Sequence, residues 1–250
     1  GDGKGSAIYS TGAVTKISES IFKNNISLDG DGGAVFIASG EVDSSEFQNN
    51  TSGNKGGAIA TSSNGMVTIE RSLFIGNQAA NIGGGIYIGA NALVVNNTIV
   101  NSSSNSDPAI ASAIGASVDV INTIAWGNDQ VDWNNQYGIS YRYNNLDTTQ
   151  PGEGNINADP LFFDPNNFDF SLLWNSPSID AGDIDLDGDG TLWYDDLDDQ
   201  DIDGTRMDIG AYAFIGPDTV PPTLSITGPL TDQVYGTGQL MPITWDANDD

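Results

Sequence analysis

The chain has 250 residues, of which 34 are acidic and only 7 are basic, so its formal net charge is −27 at pH 7. Binding to nucleic acid requires clustered cations against the phosphates, which this composition excludes. The sequence has no His and no Cys, so zinc, haem, iron–sulfur and disulfide chemistry lose their usual ligands, whereas cations that prefer oxygen ligands remain.

Both ends of the sequence resemble the interior of a longer protein. Residues 1–10 already follow a repeating pattern, and residues 243–250 stop inside a strand-like run. No apolar run reaches the length of a membrane span, and no signal peptide opens the chain. We therefore expect no membrane span, and covalently linked neighbouring domains in a longer chain.

A repeat of about 25 residues runs through residues 1–146. One landmark is a pair of glycines before an apolar run, at Gly32-Gly33, Gly56-Gly57 and Gly83-Gly84. A second landmark is an apolar residue that recurs at steps of 25 to 27, namely Phe22, Phe47, Phe74, Ile99 and Ile124. Two residues before each lies a small polar residue, namely Ser20, Ser45, Ser72, Asn97 and Asn122, and Asn25, Asn50 and Asn77 follow the first three.

Short β-prone stretches separate these landmarks, and no stretch of 10 to 12 residues has helical periodicity. The pattern predicts an all-β fold, a parallel β-solenoid in which equivalent apolar and Asn residues stack between coils. Val95 and Val120 lie four residues before their landmarks rather than five, which predicts a β-bulge. The alternative is an antiparallel sandwich with regularly spaced strands.

An aromatic-rich stretch follows the repeats and contains Trp126, Trp133, Tyr137, Tyr141 and Tyr143. These aromatic residues suit the covering of an open solenoid end, and sugar stacking is the alternative. Residues 139–146 are interpreted as one more coil, and residues 147–158 as a surface loop.

Three motifs then occur in order: Asp-Pro-Leu-Phe from Asp159, Ser-Pro-Ser-Ile-Asp-Ala-Gly-Asp from Ser176, and Asp-Gly-Thr-Arg-Met-Asp-Ile-Gly-Ala-Tyr-Ala-Phe from Asp203. This ending resembles that of the parallel β-helix repeat family of large bacterial surface proteins, over roughly residues 5–216. The resemblance implies a right-handed parallel β-helix, with coils over 1–146 and its C-terminal part over 147–216. It also implies export to the bacterial cell surface or the extracellular space, and no particular reaction.

The most specific local chemistry lies within this ending. Asp185, Asp187, Asp189 and Gly190, followed after five residues by Asp196, match the calcium-loop template D-x-[DN]-x-[DN]-G-x5-E with Asp in place of the last Glu. The carboxylates converge on one Ca2+, Thr191 offers its backbone carbonyl, and Asp195 is an alternative to Asp196. No amphipathic helices flank the loop, so the prediction is an isolated Ca2+ loop rather than an EF-hand.

A solvated acidic loop without an ion is the alternative interpretation of this segment. Residues 180–208 hold 12 Asp and a single Arg, so the carboxylates repel one another unless a cation neutralises them. The remaining acidic residues either form a second site or pair with Arg206, namely Asp180, Asp183, Asp198, Asp199, Asp201, Asp203 and Asp208.

Residues 217–222 are predicted to be a proline-stiffened linker. Residues 223–250 contain two strand-like stretches with Trp245 in the second, and we interpret them as the incomplete beginning of an Ig-like β-sandwich.

Two functions remain open. The favoured one is a non-catalytic, calcium-stabilised β-helix at the cell surface that serves as a stalk, adhesin or glycan-contact surface, with a polysaccharide or cell-surface glycan as its partner. The alternative is a carbohydrate-active enzyme, either a polysaccharide lyase or a glycoside hydrolase. Candidate bases for a lyase are Lys16, Lys23, Lys55, Arg71 and Arg142, and candidate hydrolase carboxylates are Asp29, Asp31, Asp129 and Asp132. None of these stands in a catalytic spacing.

Overall fold

A computed structural model gives the architecture of most of the chain. It describes residues 3–105, 109–128, 138–215, 223–228 and 244–248. The chain forms two compact units, Gly1–Phe214 and Ile215–Asp250.

The first unit is a parallel β-solenoid of about five turns, in which strands pair with their equivalents one coil away. The parallel pairing confirms the predicted stacking and contradicts the antiparallel sandwich for the described coils. The largest sheet consists of β1 (Ile8–Ser18), β4 (Val35–Asp43), β7 (Ile59–Thr61), β8 (Met66–Glu70), β11 (Ile86–Ile88), β12 (Asn91–Val95), β15 (Ile110–Ser112), β16 (Ser117–Ile121) and β18 (Ile139–Arg142).

Two narrower sheets form the other sides of the solenoid. The second sheet consists of β2 (Ile21–Lys23), β5 (Glu46–Gln48), β9 (Leu73–Ile75), β13 (Thr98–Val100), β17 (Ile124–Trp126) and β19 (Asn145–Leu146). The third consists of β3 (Ile26–Ser27), β6 (Thr51–Ser52), β10 (Gln78–Ala79) and β14 (Ser103–Ser104). Since β18 and β19 pair with β16 and β17, the coil predicted over residues 139–146 is confirmed.

The core between the sheets is built from stacked apolar side chains. The ring of Phe47 lies parallel to those of Phe22 and Phe74, with centroid distances of 4.9 Å and 4.8 Å. Ile99 pairs with Phe74 and extends the same ladder. A single coil cannot bury these side chains, so each coil depends on its neighbours for its apolar contacts.

The fifth rung of the ladder differs from the sequence prediction. Ala125, not Ile124, pairs with Ile99. Val94, not Val95, pairs with Val120, and the register of these strands is continuous. The spacing to the ladder residue is therefore five in every coil, and the predicted bulge is wrong.

Corners between the sheets place buried polar side chains at the edge of the core. The side-chain oxygen of Asn50 accepts hydrogen bonds from the backbone and side-chain amides of Asn25, both at about 3.0 Å or less, and its amide nitrogen donates to Phe22 O and to Asn77 Oδ1. Asn49, which precedes Asn50, adopts a left-handed backbone with φ of 52°. This conformation suits Asn and turns the chain through the corner.

The row of small polar residues forms a similar stack. Ser72 N donates to Asn97 Oδ1, and Asn97 N donates in turn to Thr123 Oγ1. Thr123 therefore occupies the position predicted for Asn122, again shifted by one residue. Asn122 instead has a left-handed φ of 48° and turns its side chain toward the C-terminal part of the unit.

After the last coil, the chain turns back within residues 159–214, and Phe162, Phe170, Leu172 and Ile209 pack against the outer face of the second sheet. A hairpin of β20 (Phe162–Asp164) and β21 (Asp169–Leu172) surrounds a 3-10 turn at Pro165–Asn167. Phe170 is buried against Leu73, Ile75 and Val100, on the outward side of β9 and β13. Residues 159–214, which we call the strap, therefore hold several coils together.

The region between the last coil and the strap is only partly a loop. Ile156 forms a parallel bridge with Asn145, and the Asn155 side chain accepts a hydrogen bond from Asn144 N at 3.0 Å. Residues 147–158, predicted to be a surface loop, therefore end in a partial further rung. Tyr141 and Tyr143 are buried beside it, whereas Trp133 and Tyr137 lie outside the described residues.

The second unit contains an antiparallel pair, β22 (Thr223–Gly228) and β23 (Thr244–Asn248). The predicted linker over residues 217–222 lies outside the described residues, and the Ig-like assignment stays a prediction. Among the described residues, none belongs to a helix with the length and apolar character needed to cross a bilayer.

Candidate metal centre

The acidic segment, residues 183–208, is fixed to the coils near both of its ends. At its beginning, Asp183 N donates to Asn122 Oδ1 at 2.7 Å, and the Asp183 carboxylate forms an ion pair with Arg142 on β18. Just beyond its end, Gly210 N donates to the backbone oxygen of Asn122 at 2.8 Å. Because both ends of the acidic segment contact Asn122, the intervening aspartates lie on a loop whose two ends are held together beside the last coils.

Carboxylates within the acidic segment gather into two groups that share one residue. One group contains the half-buried Asp185, the exposed Asp187 and the buried Asp199, and we call it the buried group after Asp199. The other, which we call the exposed group, contains Asp187, Asp189 and Asp196. In each group, one oxygen from each carboxylate lies within 4.8 Å of the others. Negative charges at this separation repel one another, and a hard divalent cation with several oxygen ligands relieves that repulsion.

Local backbone hydrogen bonds shape the loop that carries these carboxylates. Asp189 N donates to Asp187 Oδ1 at 3.0 Å, and Gly190 N donates to Asp185 Oδ2 at 3.1 Å. Thr191 N donates to Asp189 Oδ1 at 2.6 Å. Gly190 has a φ of 89°, a left-handed conformation that glycine adopts readily, and it turns the loop sharply.

The predicted ligands at the end of the loop are placed differently from one another. Asp196 belongs to the exposed group, whereas Asp195 belongs to neither group. The side chain of Asp196 forms a hydrogen bond with that of Asp198. This bond, together with lost hydration and the nearby charge of Asp189, raises the pKa of Asp196 to about 6. By contrast, hydrogen bonds from Thr191 lower the pKa of Asp189.

Asp199 is a member of the buried group that the loop template does not contain. It ends the 3-10 turn Leu197–Asp199 and has only 1% of its surface exposed. Burial raises the pKa of its carboxyl, and the charges of Asp187 and Asp185 raise it further. From the sequence alone, Asp199 is one of seven acidic residues without an assigned role. The calcium-loop template ends at Asp196, so it gives no ligand position fourteen residues after Asp185.

The remaining acids of that pool have other contacts. Asp208 accepts hydrogen bonds from Asp180 N and Phe214 N, and burial raises its pKa to about 6. Burial also raises the pKa of Asp201 to about 7. Arg206 donates to the backbone of Ala181 at 3.3 Å rather than serving as the shared partner of these acids.

A third cluster of acids lies on the coils and has a different environment. Oxygens of Glu41, Asp43 and Glu70 also lie within 4.8 Å of one another. Arg71 contacts both Asp43 and Glu70 at 2.9 Å, and Lys16 contacts Glu41 at 2.9 Å. Side chains of the protein therefore already neutralise this cluster, which makes it a poor candidate for a metal centre.

Six of the residues considered for catalysis have partners of their own. Lys55 lies 4.5 Å from the centre of the Tyr87 ring, and Asp31 accepts a hydrogen bond from Asn54 at 2.6 Å. The other four cations form ion pairs: Lys16 with Glu41, Lys23 with Glu46, Arg71 with Asp43, and Arg142 with Asp183. A neighbouring carboxylate favours the charged form of a Lys or Arg, which opposes a role as a base. Asp129 and Asp132 lie outside the described residues.

Comparison with known protein families matches two stretches of the coils. Residues 44–62 and 71–89 match the family model of the Chlamydia polymorphic membrane protein repeat. The first stretch contains β5, β6 and β7, and the second contains β9, β10 and β11, so the two matches occupy equivalent parts of successive coils. Together they cover well under half of the chain. No curated protein and no solved structure matches it.

Proposed function

We propose that the chain is a non-catalytic module at the surface of a bacterium, where a calcium-stabilised β-helix serves as a stalk, adhesin or glycan-contact surface. One observation carries this proposal: the two matched stretches coincide with successive coils that stack in register through Phe47 and Phe74 and through Asn50 and Asn77. The matched family is named for a bacterial membrane protein, which supports a placement at the cell surface.

The calcium part of the proposal rests on the acidic segment. Its two carboxylate groups lie beside the coils that carry Asn122 and Arg142. A Ca2+ ion between the carboxylates removes their repulsion and rigidifies the loop whose two ends contact Asn122. Calcium thereby stabilises the closed end of the solenoid.

A cleft between the second sheet and the strap supports the glycan part. It has a volume of about 310 Å3 and is lined by Trp126, Phe162 and Phe170, with Asp159 and Asn101 supplying polar atoms. Apolar aromatic surface with a few polar groups is the usual composition of a small-ligand site, and flat rings suit the apolar faces of sugars.

Binding without turnover is the test of this function. The purified chain is applied to a glycan array, and bound polysaccharides are then assayed for reducing sugars and for absorbance of unsaturated uronates. We expect retention without product. Trp126→Ala should abolish retention, whereas Trp174→Ala, whose side chain is 76% exposed outside the cleft, should not.

Each part of the proposal has its own contradicting result. Product formation contradicts the non-catalytic assignment and revives the lyase or hydrolase. Equal retention by both Trp variants contradicts the cleft as the glycan site. Protection of the full-length chain from protease added to intact cells of its native bacterium contradicts surface placement.

A further inference from the structure

The acidic segment contains a buried carboxylate whose bonding is incomplete. Asp199 is 1% exposed, and its Oδ1 accepts a hydrogen bond from Leu186 N at 2.8 Å. Its other oxygen, Oδ2, is buried without a hydrogen-bond partner, as is Oδ1 of Asp185. A buried polar atom without a partner destabilises a fold, so two neighbouring ones require a ligand or another compensation.

The unpartnered oxygens lie where a cation would meet several ligands. Carboxylate oxygens of Asp185, Asp187 and Asp199 lie within 4.8 Å of one another. None of the ion pairs found among the described residues involves these three side chains. The coil cluster around Arg71 shows the contrasting arrangement, in which a guanidinium occupies the equivalent place.

We infer that Asp185, Asp187 and Asp199 form a divalent-cation site that takes Ca2+, with Asp199 as a ligand outside the loop template. The inference rests on the calcium part of the proposed function and assigns the ion to a different ligand set. Ca2+ accepts six to eight oxygen ligands in irregular geometry, which suits a loop carrying Gly188 and Gly190, whereas Mg2+ requires a near-ideal octahedron.

The site has a structural consequence that the loop alone does not have. Asp185 and Asp187 precede the turn at Gly190, whereas Asp199 ends the separate 3-10 turn Leu197–Asp199. An ion shared by these carboxylates cross-links the two turns. Asp187 also belongs to the exposed group, so its loss removes a ligand from both groups.

The experiment compares neutral, isosteric variants of the whole chain. Metal-free wild type, D199N, D196N and D195N are titrated with CaCl2 by calorimetry, and with Tb3+ by luminescence sensitised through Trp193 in the loop. Asp199→Asn keeps an acceptor for Leu186 N, and far-UV circular dichroism checks its fold. D195N is the matched control because it removes the same charge from an exposed residue outside both groups.

We expect D199N to weaken Ca2+ binding at least about tenfold, since even supporting groups around a metal change affinity by about that factor. D196N should weaken binding less, and D195N should bind like wild type. Wild-type affinity in D199N, or an equal loss in D199N and D195N, overturns the inference while leaving calcium stabilisation intact. Absence of binding by the wild type overturns both. If D199N does not fold, D185N replaces it with the same expected loss.

Discussion

The coils and the acidic segment treat polar and charged groups in opposite ways. In the coils, the buried Asn50 and Asn77 are bonded to each other across one turn, and Arg71 neutralises the acids beside it. In the acidic segment, Asp185 and Asp199 keep buried oxygens without partners, and repulsion and burial shift several pKa values upward. These groups of the coils are thus satisfied by side chains of the protein, whereas the acidic segment leaves carboxylate oxygens available for the cation that we propose.

The largest expected effect comes from removing a ring from the coil core. Phe47→Ala should lower the free energy of unfolding by about 3–5 kcal/mol, because Phe47 is fully buried between two parallel rings and its loss leaves a cavity. Urea denaturation measures the change. Phe22→Ala is the matched control and should cost less, because Phe22 has a ring on one side only in the described coils. Equal losses would contradict a ladder that depends on both neighbours.

Removal of calcium should destabilise the acidic segment next. A chelator added to protein held at a Ca2+ concentration about 100-fold above its dissociation constant should remove about 2.7 kcal/mol of stability, seen as a fall in melting temperature. The double variant Asp187→Ala with Asp189→Ala should melt like the chelated wild type and respond no further to chelator. An unchanged melting curve on chelation would refute calcium stabilisation.

The ion pair between the last coil and the acidic segment should contribute somewhat less. Arg142→Gln should lower the free energy of unfolding by about 2 kcal/mol, because it leaves the carboxylate of Asp183, which is 3% exposed, without its cation. The half-exposed Arg71 provides the control, since Arg71→Gln should cost less than about 1 kcal/mol. The two variants are compared by thermal denaturation in the presence of chelator. Equal effects would contradict the special position of Arg142.

The smallest effect concerns pH. Burial raises the pKa of Asp208 to about 6, above its ordinary value of 3.8, so the folded chain holds this proton more tightly than the unfolded chain does. Protonation therefore adds stability as pH falls from about 7 toward 4, and this contribution is lost as pH rises through about 6. In chelator, the rise in melting temperature from pH 7 to pH 5 should be smaller in Asp208→Asn than in wild type. Identical slopes would contradict the raised pKa.

The sequence predicted the solenoid well because its rungs are nearly identical. Phe47 lies between Glu46 and Gln48, so no adjacent apolar residue competes with it for the ladder position. Ile21 adjoins Phe22, and Leu73 and Ile75 adjoin Phe74, but the steps of 25 and 27 between the three Phe residues still fix the register. The error arose at doublets of apolar residues. Ile124 and Ala125 are adjacent, as are Val94 and Val95, so the hydrophobic pattern is satisfied in either register.

The candidate site was predictable only in part. The alternate spacing of Asp185, Asp187 and Asp189 is a local pattern, and the sequence identified it. The proposed role of Asp199 depends on a 3-10 turn that brings its carboxylate near that of Asp185. The sequence pattern does not distinguish Asp199 from the aspartates around it. Asn122 was assigned to the coil ladder, although its side chain instead holds the beginning of the acidic segment.

The strap along the second sheet has a mechanical consequence for the proposed stalk. Hydrogen bonds between coils run along the solenoid axis, so tension applied along that axis stretches them rung after rung in series. The strap contacts β9 and β13 through Phe170, donates from Ala211 N to Thr98, and joins β18 through Asp183. The strap therefore connects successive coils in addition to their own hydrogen bonds. Under tension, the coils that the strap does not contact should unfold first.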